Sequence, residues 1–435
     1  MNISGRTAAA IAESVERGLL ARPSDAGDAL PTIRELSTRL GVSPATVAAA
    51  YKLLRFRGLA SGKGRQGTRA VVRHGAPARV VPLAPPGTRD LSTGGPDLAL
   101  LPSLESALLA VRPRSGGYHV GPDSPDLIAH ASAELEADGI PAHAVAVLSG
   151  GLDAIERVLR EHLQAGDGVA LEDPSFPGIV DLVSHAGYAA VPFAVDDEGP
   201  VPTSVEAALN RGCQAIIVTP RAQDPTGAAI GSQRAEKLRL VLDRFPRLVL
   251  IENDHAGPVA GSAVHTLGRG SRAHWAVVRS LSKFLGADLR VALLAGDEVT
   301  VARVRGRHML GARWVSHVLQ ALAVTLWVNP TSGRQIARAG EIYAQRRLAA
   351  VAALEAHGIS ASGRSGLNVW VPVRHEGRVA RALAERGWAV APGASFRIQS
   401  GPGIRITTST LVPEDAERFA ADLAASLGFG SARLA

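Results

Sequence analysis

The sequence predicts a two-part protein: an N-terminal α+β head of three helices and a hairpin, then a larger α/β domain of alternating strands and helices. Three observations carry this expectation. At 435 residues the chain is too long for one ordinary core. Residues 1–73 hold twelve basic side chains against five acidic ones, a net +7 that equals the net charge of the whole chain, so everything after residue 73 is neutral by count. A proline-rich stretch, 74–92, shows little periodicity and separates this basic segment from a long alternation of apolar runs and amphipathic stretches. The expected organisation is a head at 1–73, a linker at 74–92 and a domain at 93–435.

Composition narrows the function classes. Hydrophobic residues make up 46% of the chain, yet no run of about 18 uncharged apolar residues occurs and the N-terminus lacks a signal-peptide pattern. No membrane partner is expected, and the cytoplasm is the expected compartment. The single cysteine, Cys213, excludes an intrachain disulfide and reads as a buried structural thiol beside the apolar run 215–218. A basic excess confined to one domain is the footprint of a polyanion partner.

Within the head, Ile11, Val15 and Leu19 recur at helical spacing. Thr32 followed by Glu35 is a capping box that opens a second helix, and Gly41-Val42-Ser43 breaks it. A third helix runs from Pro44 to Arg57 with Val47, Leu53 and Leu54 inward. Residues 58–68 then supply a turn between short extended pieces, so the order is three helices and a hairpin: a winged helix-turn-helix. Gly62-x-Gly64-x-x-Gly67 matches a dinucleotide-binding fingerprint in letters, but it neither follows a buried strand nor opens a helix, and reads as the wing turn. The run from Pro31 to Arg55, closing on Gly67-Thr68, closely resembles the DNA-binding domain of GntR-type transcription regulators. The resemblance implies double-stranded DNA as partner, with Arg34, Thr46, Lys63 and Arg65 facing it. Pro44 stands where the family commonly has a DNA-contacting arginine, which bears on operator preference.

In the larger domain, strands are expected at 145–148, 168–171, 215–218 and 248–251. Ser149-Gly150-Gly151 turns directly from the first of these into a helix with Leu152, Ile155, Leu159 and Leu163 on one face. Such a turn exposes backbone N–H groups where the helix dipole favours an anion, a candidate phosphate cradle. The stretch 279–290 places Lys283 between Ser280, Ser282 and Arg290: a lysine accompanied by hydroxyls and a guanidinium that suit a phosphate.

This spacing resembles the cofactor-lysine segment of fold type I pyridoxal-phosphate enzymes, the aminotransferase family, and the likeness extends over about 340 residues. It implies an α/β transferase fold with large and small subdomains, the small one including about 330–435, and pyridoxal 5'-phosphate as cofactor, bound as an imine on Lys283. The same resemblance implies that Phe176, in Glu172-Asp-Pro-Ser-Phe-Pro177, stacks on the cofactor. It also implies that Ser149, Gly150, Gly151, Ser280, Ser282 and Arg290 hold the phosphate, and that Arg405, in Gly403-Ile-Arg-Ile406, holds a substrate carboxylate. A GntR-type head on such a domain is the arrangement of the MocR regulators.

The chain departs from the enzyme pattern at three positions. Asn253 stands where the family pairs an aspartate with the pyridine nitrogen, although Glu252 and Asp254 flank it. Asp224 replaces the loop asparagine beside the phenolic oxygen, and His255 replaces a tyrosine, with an imidazole N–H still able to donate. These changes spare the phosphate grip and weaken ring activation. The expected function is a DNA-binding transcription regulator, a homodimer by resemblance, that binds pyridoxal phosphate and senses a small amine or amino acid exchanging with Lys283. A working aminotransferase carrying the head, and a repressor with an empty dimerisation module, are the alternatives. No metal site is expected.

Overall fold

The protein is described by a computed structural model covering residues 3–21, 29–56, 60–61, 68–70, 84–112, 118, 120–268 and 272–428. The chain divides into two compact units.

In the head, α1 (Ala8–Ala21), α2 (Ile33–Leu40) and α3 (Pro44–Phe56) precede an antiparallel pair, β1 (Ala60–Ser61) and β2 (Arg69–Ala70). The capping box forms: Glu35 N donates to Thr32 Oγ1 at 3.2 Å and Thr32 N to the Glu35 carboxylate at 2.8 Å. Two helix-end donors are thereby satisfied. Gly41, at φ 63°, ends α2 in the left-handed region, where an L side chain would be strained. This frees the chain to turn into α3, which Ser43 caps by accepting from Thr46 N at 3.1 Å. Ile11, Val15, Leu19, Leu36, Val47 and Leu54 form the core. Leu53, expected inward, is half-buried; Tyr51 takes the inner position and donates its hydroxyl to the Pro31 carbonyl at 2.6 Å.

Among the described residues the larger domain is built on twelve further strands: β3 (Arg89–Leu91), β4 (Val145–Leu148), β5 (Gly168–Asp173), β6 (Ala189–Asp196), β7 (Gly199–Pro200), β8 (Cys213–Val218), β9 (Val249–Asp254), β10 (Trp275–Ser280), β11 (Ala292–Gly296), β12 (Asn368–Pro372), β13 (Trp388–Pro392) and β14 (Gly403–Thr407). Eight form one sheet in the order β4-β11-β10-β9-β8-β5-β6-β7, with β8, β9 and β10 mutually parallel and β11 and β4 antiparallel neighbours. The central strands read as near-continuous apolar runs because helices cover both faces of such a sheet. Their carboxyl ends carry the loops that make the site, as open α/β sheets generally do.

The other four strands form the sheet of the smaller subdomain, β12-β14-β13-β3. Its β3 corrects the expected linker. Residues 89–91 are an edge strand parallel to Trp388–Val390, with Leu91 fully buried, so the linker as composition drew it runs too far. Burying such a leucine contributes about 1.5–3 kcal/mol, which outweighs the weak local preference of a proline-rich approach. Among the described residues no helix is long and apolar enough to cross a membrane. Cys213 is half-buried, and burial pushes its thiol up to about 11, which suits a structural role.

Candidate functional site

A cavity of about 170 Å³ lies at the carboxyl ends of the central strands. Its lining includes the start of the helix Gly151–His162, Ser280 at the end of β10, Ser282 just beyond it, and Arg290. Gly150 adopts φ 113°, and a Cβ there would lie 2.3 Å from Arg290 Nη2, so only glycine lets the guanidinium lie against this turn. Arg290, itself at φ 49°, donates to the Ser149 carbonyl at 3.3 Å; the Ser149 side chain does not line the cavity. The Ser280 and Ser282 hydroxyls are 2.8 Å apart. Phe176 stands at the mouth, 37% exposed, held on a loop that Gln223 ties down by donating to the Pro174 carbonyl at 2.8 Å and to Glu172 at 3.1 Å.

Lys283 opens onto the cavity and donates to the Gly94 carbonyl at 2.6 Å. Its surroundings push the ammonium pKa down: burial first, opposed by nearby Asp224 and reinforced by Arg405. A lysine that loses its proton readily can act as a nucleophile toward an aldehyde.

On β9 the side chains alternate, and this settles which of three neighbours meets the cavity. Asn253 lines it, buried to 6% exposure. Glu252 accepts from Thr266 Oγ1 at 2.7 Å, Leu267 N at 3.0 Å and Gly268 N at 2.8 Å. Asp254 is clasped by Arg221 (Nε at 2.8 Å, Nη2 at 3.0 Å) and by Arg279 Nε at 2.8 Å, and Asp138 completes the cluster. Burial works to raise the Asp254 pKa, but the two guanidinium groups outweigh it and hold the carboxylate ionised. Neither flanking acid is free to turn inward.

Two sequence-based expectations need correction here. His255 lines the cavity, but its Nε2 lies 2.7 Å from the Ala222 carbonyl, an oxygen that can only accept. That nitrogen must carry the proton. Burial, and then Lys283, lower the imidazole pKa, so the ring is neutral and Nδ1 is an acceptor rather than the expected spare donor. Arg405 does not line the cavity as an open carboxylate clamp. Its Nη1 donates to both Asp224 oxygens, at 3.0 and 3.1 Å, and its Nη2 to the Ser92 carbonyl, while Phe396 lies under the guanidinium at 4.8 Å. Asp224 lines the cavity as expected, with its charge compensated by this pairing. Sequence reasoning missed Thr219, Leu152 and Ile155 as lining residues, and missed the carbonyls of Ser92 and Gly94. No short motif marks a carbonyl acceptor.

In the head, Arg34 is exposed and Thr46 is half-buried with its hydroxyl 2.8 Å from Ser43 Oγ. Lys63 and Arg65 lie outside the described residues.

Comparison with known proteins agrees with this division. Residues 114–423 match the family "Aminotransferase class I and II", and residues 7–70 match "Bacterial regulatory proteins, gntR family". The chain belongs to the aminotransferase class I and II family, in the MocR-type arrangement. This MocR-type chain is 39% identical over 429 residues, 97% of its length and 98% of the other's, to the vitamin B6 salvage pathway transcriptional repressor PtsJ of Salmonella typhimurium. It is 28% identical over 258 residues, 55% of its length and 53% of the other's, to the pyridoxine biosynthesis transcriptional regulator PdxR of Corynebacterium glutamicum. Its fold is that of Pyrococcus horikoshii kynurenine aminotransferase, with a TM-score of 0.72 at 18% identity over 79% of this chain and 91% of that one.

As a member of this group, the MocR-type chain is a DNA-binding transcription regulator whose aminotransferase-like domain takes pyridoxal phosphate. The residues present fit that cofactor. Gly150 leaves room for a guanidinium that a Cβ would displace, two hydroxyls stand beside it, and a lysine with a depressed pKa faces the same space.

Proposed function

We propose that the chain controls transcription in response to pyridoxal phosphate itself, acting as a homodimer in the cytoplasm. Lys283 is the residue that would condense with the cofactor aldehyde. Ser280, Ser282, Arg290 and the N–H groups of Gly150 and Gly151 hold the phosphate, Phe176 covers one face of the ring, and Asn253 meets the ring nitrogen. Bound there, the cofactor supplies an electrophilic carbon that a primary amine can attack. The observation that supports the reading is the composition of the pocket: Ser280, Ser282, Lys283 and Arg290 line it together, and buried Asn253 lines it where the resemblance expects a carboxylate for the ring nitrogen. An amide offers no charge to hold that proton, so binding is retained while carbanion chemistry is weakened. The likeness to a vitamin B6 salvage repressor supports the choice of signal. Arg34, Thr46, Lys63 and Arg65 of the head meet DNA, and a two-fold dimer suits paired half-sites.

The test is to titrate pyridoxal phosphate into the full chain bound to its own promoter fragment while following DNA affinity, then to reduce with borohydride and locate the adduct by mass spectrometry. A change in DNA affinity that saturates together with adduct formation at Lys283 is expected. DNA affinity that ignores the cofactor, or an adduct elsewhere, would refute the proposal.

A further inference from the structure

We propose that Asp224 sets the ligand specificity of the pocket: by occupying Arg405 it closes the site to molecules that carry a carboxylate beside their amine, and leaves aldehydes and carboxylate-free primary amines as the accepted class. The inference rests on the cofactor reading above and deepens it.

The argument begins with the guanidinium. Arg405 is 5% exposed, and a buried guanidinium holds a carboxylate well only when two parallel N–H groups are open to it. Here Nη1 is taken by both oxygens of Asp224 and Nη2 by the Ser92 carbonyl. Phe396 covers one face. Nε is buried without a partner. With Nε buried, the one N–H left on Nη2 of a neutralised cation cannot replace the fork.

Charge leads the same way. Asp224 is 9% exposed and lies near both Arg405 and Lys283, so it already compensates the positive charge on this side of the cavity. A ligand carboxylate would bring a second negative charge to a pair that is already balanced. It would have to displace Asp224, leaving that carboxylate buried without a partner, or sit beside it and be repelled. Arg290, the one guanidinium among the described lining residues, donates to the Ser149 carbonyl and is taken by the phosphate in the cofactor reading above. Among the described residues that line the cavity, then, none offers an uncommitted guanidinium for an α-carboxylate.

An amine without a carboxylate meets no such obstacle. With the cofactor bound, its exchange would balance: the incoming nitrogen would take the place of Lys283 Nζ on the cofactor carbon, one C=N bond replacing another, and the two hydrogens of the incoming amine would end on Nζ. No electrons change hands.

The test uses the cofactor-loaded full chain and a pair of probes differing only in the carboxylate, L-alanine and ethylamine, with the absorbance of the bound cofactor as readout. In the unsubstituted protein, ethylamine should shift the spectrum at concentrations at least about tenfold below those of alanine. Asp224→Asn removes the charge and should lower the alanine half-saturation, taken as a ratio to that of ethylamine in the same variant, about ten- to hundredfold. The gain should disappear in Asp224→Asn/Arg405→Gln, because it depends on the released guanidinium. Equal responses of the unsubstituted protein to the two probes would overturn the proposal whatever the variants do. So would a gain that survives loss of Arg405. Failure of the underlying cofactor reading looks different: no cofactor absorbance and no adduct at Lys283 before any probe is added.

Discussion

Asn253→Asp isolates ring activation from cofactor binding, because it changes one terminal atom group and no volume. Asn253 is 6% exposed and lines the cavity, and the carboxylates on either side of it in β9 are committed elsewhere: Glu252 to Thr266, Leu267 and Gly268, and Asp254 to Arg221 and Arg279. No neighbour can stand in for the missing charge at that position. A carboxylate partner in a partly buried site raises the pKa of a cation by about 1 to 3 units, each worth about 1.4 kcal/mol. If half of that is felt in the proton-abstraction step, the rate rises roughly three- to thirtyfold. In the cofactor-free protein the same carboxylate is buried and unpaired, at a cost of about 1–3 kcal/mol. The variant should therefore melt lower than the parent without cofactor and gain more from adding it. The assay is the slow absorbance change that follows ethylamine binding, compared at equal cofactor occupancy, with melting curves in both states. A parent protein that already converts as fast as the variant, or a fully loaded variant that shows neither the rate increase nor the larger cofactor-dependent stabilisation, would refute the assignment of Asn253 to the ring nitrogen.

The other expectations are brief. A chain beginning at residue 84 should lose DNA binding, while the full chain should bind with an affinity that falls steeply with salt in a filter or anisotropy titration, since phosphate neutralisation dominates such binding. Glu172 is buried and its carboxyl is pushed up to about 7, burial being the main cause, so the folded state retains a proton that the unfolded state releases near 4.5. The contribution of this one group is therefore fully present below pH 4.5 and declines by up to roughly 3 kcal/mol as pH rises through 7, a dependence that Glu172→Gln should remove in denaturant titrations. Thr32→Ala removes the α2 cap and should cost the head about 1 kcal/mol, read as faster amide exchange within residues 33–40 of the full chain. Asp173→Ala should loosen the loop 398–400, whose three N–H groups donate to that carboxylate, and with it Phe396 beneath Arg405; exchange in that loop should rise by at least about tenfold.

Much of the site could be read from the sequence because its chemistry is local. Ser280, Ser282, Lys283 and Arg290 fall within eleven residues, Gly151 comes three residues after β4, and all five line one cavity. The capping box at Thr32 and Glu35 was equally legible, since a cap needs only its own first turn. What could not be read was pairing at a distance. Asp224 and Arg405 are 181 residues apart, and neither neighbourhood announces the other. His255 was given a donor role because imidazole can donate; only the Ala222 carbonyl, 33 residues away, fixes which nitrogen has the proton. Composition misjudged the linker because a three-residue edge strand has too little length to express a period.

That short strand bears on how such chains can be recombined. Residues 89–91 complete the smaller sheet, and the next few residues lend carbonyls to the two cations that matter most, Ser92 to Arg405 and Gly94 to Lys283. Part of the support of the ligand pocket is thus encoded immediately after the prolines, in the stretch of the aminotransferase-like domain nearest in sequence to the DNA-binding head. Exchanging heads between relatives at residue 92 or 95 would set one protein's supporting carbonyls against another's pocket cations, whereas a splice before Arg89 would carry the whole support along. Shuffling of heads and sensors in this family is expected to leave its junctions upstream of that strand.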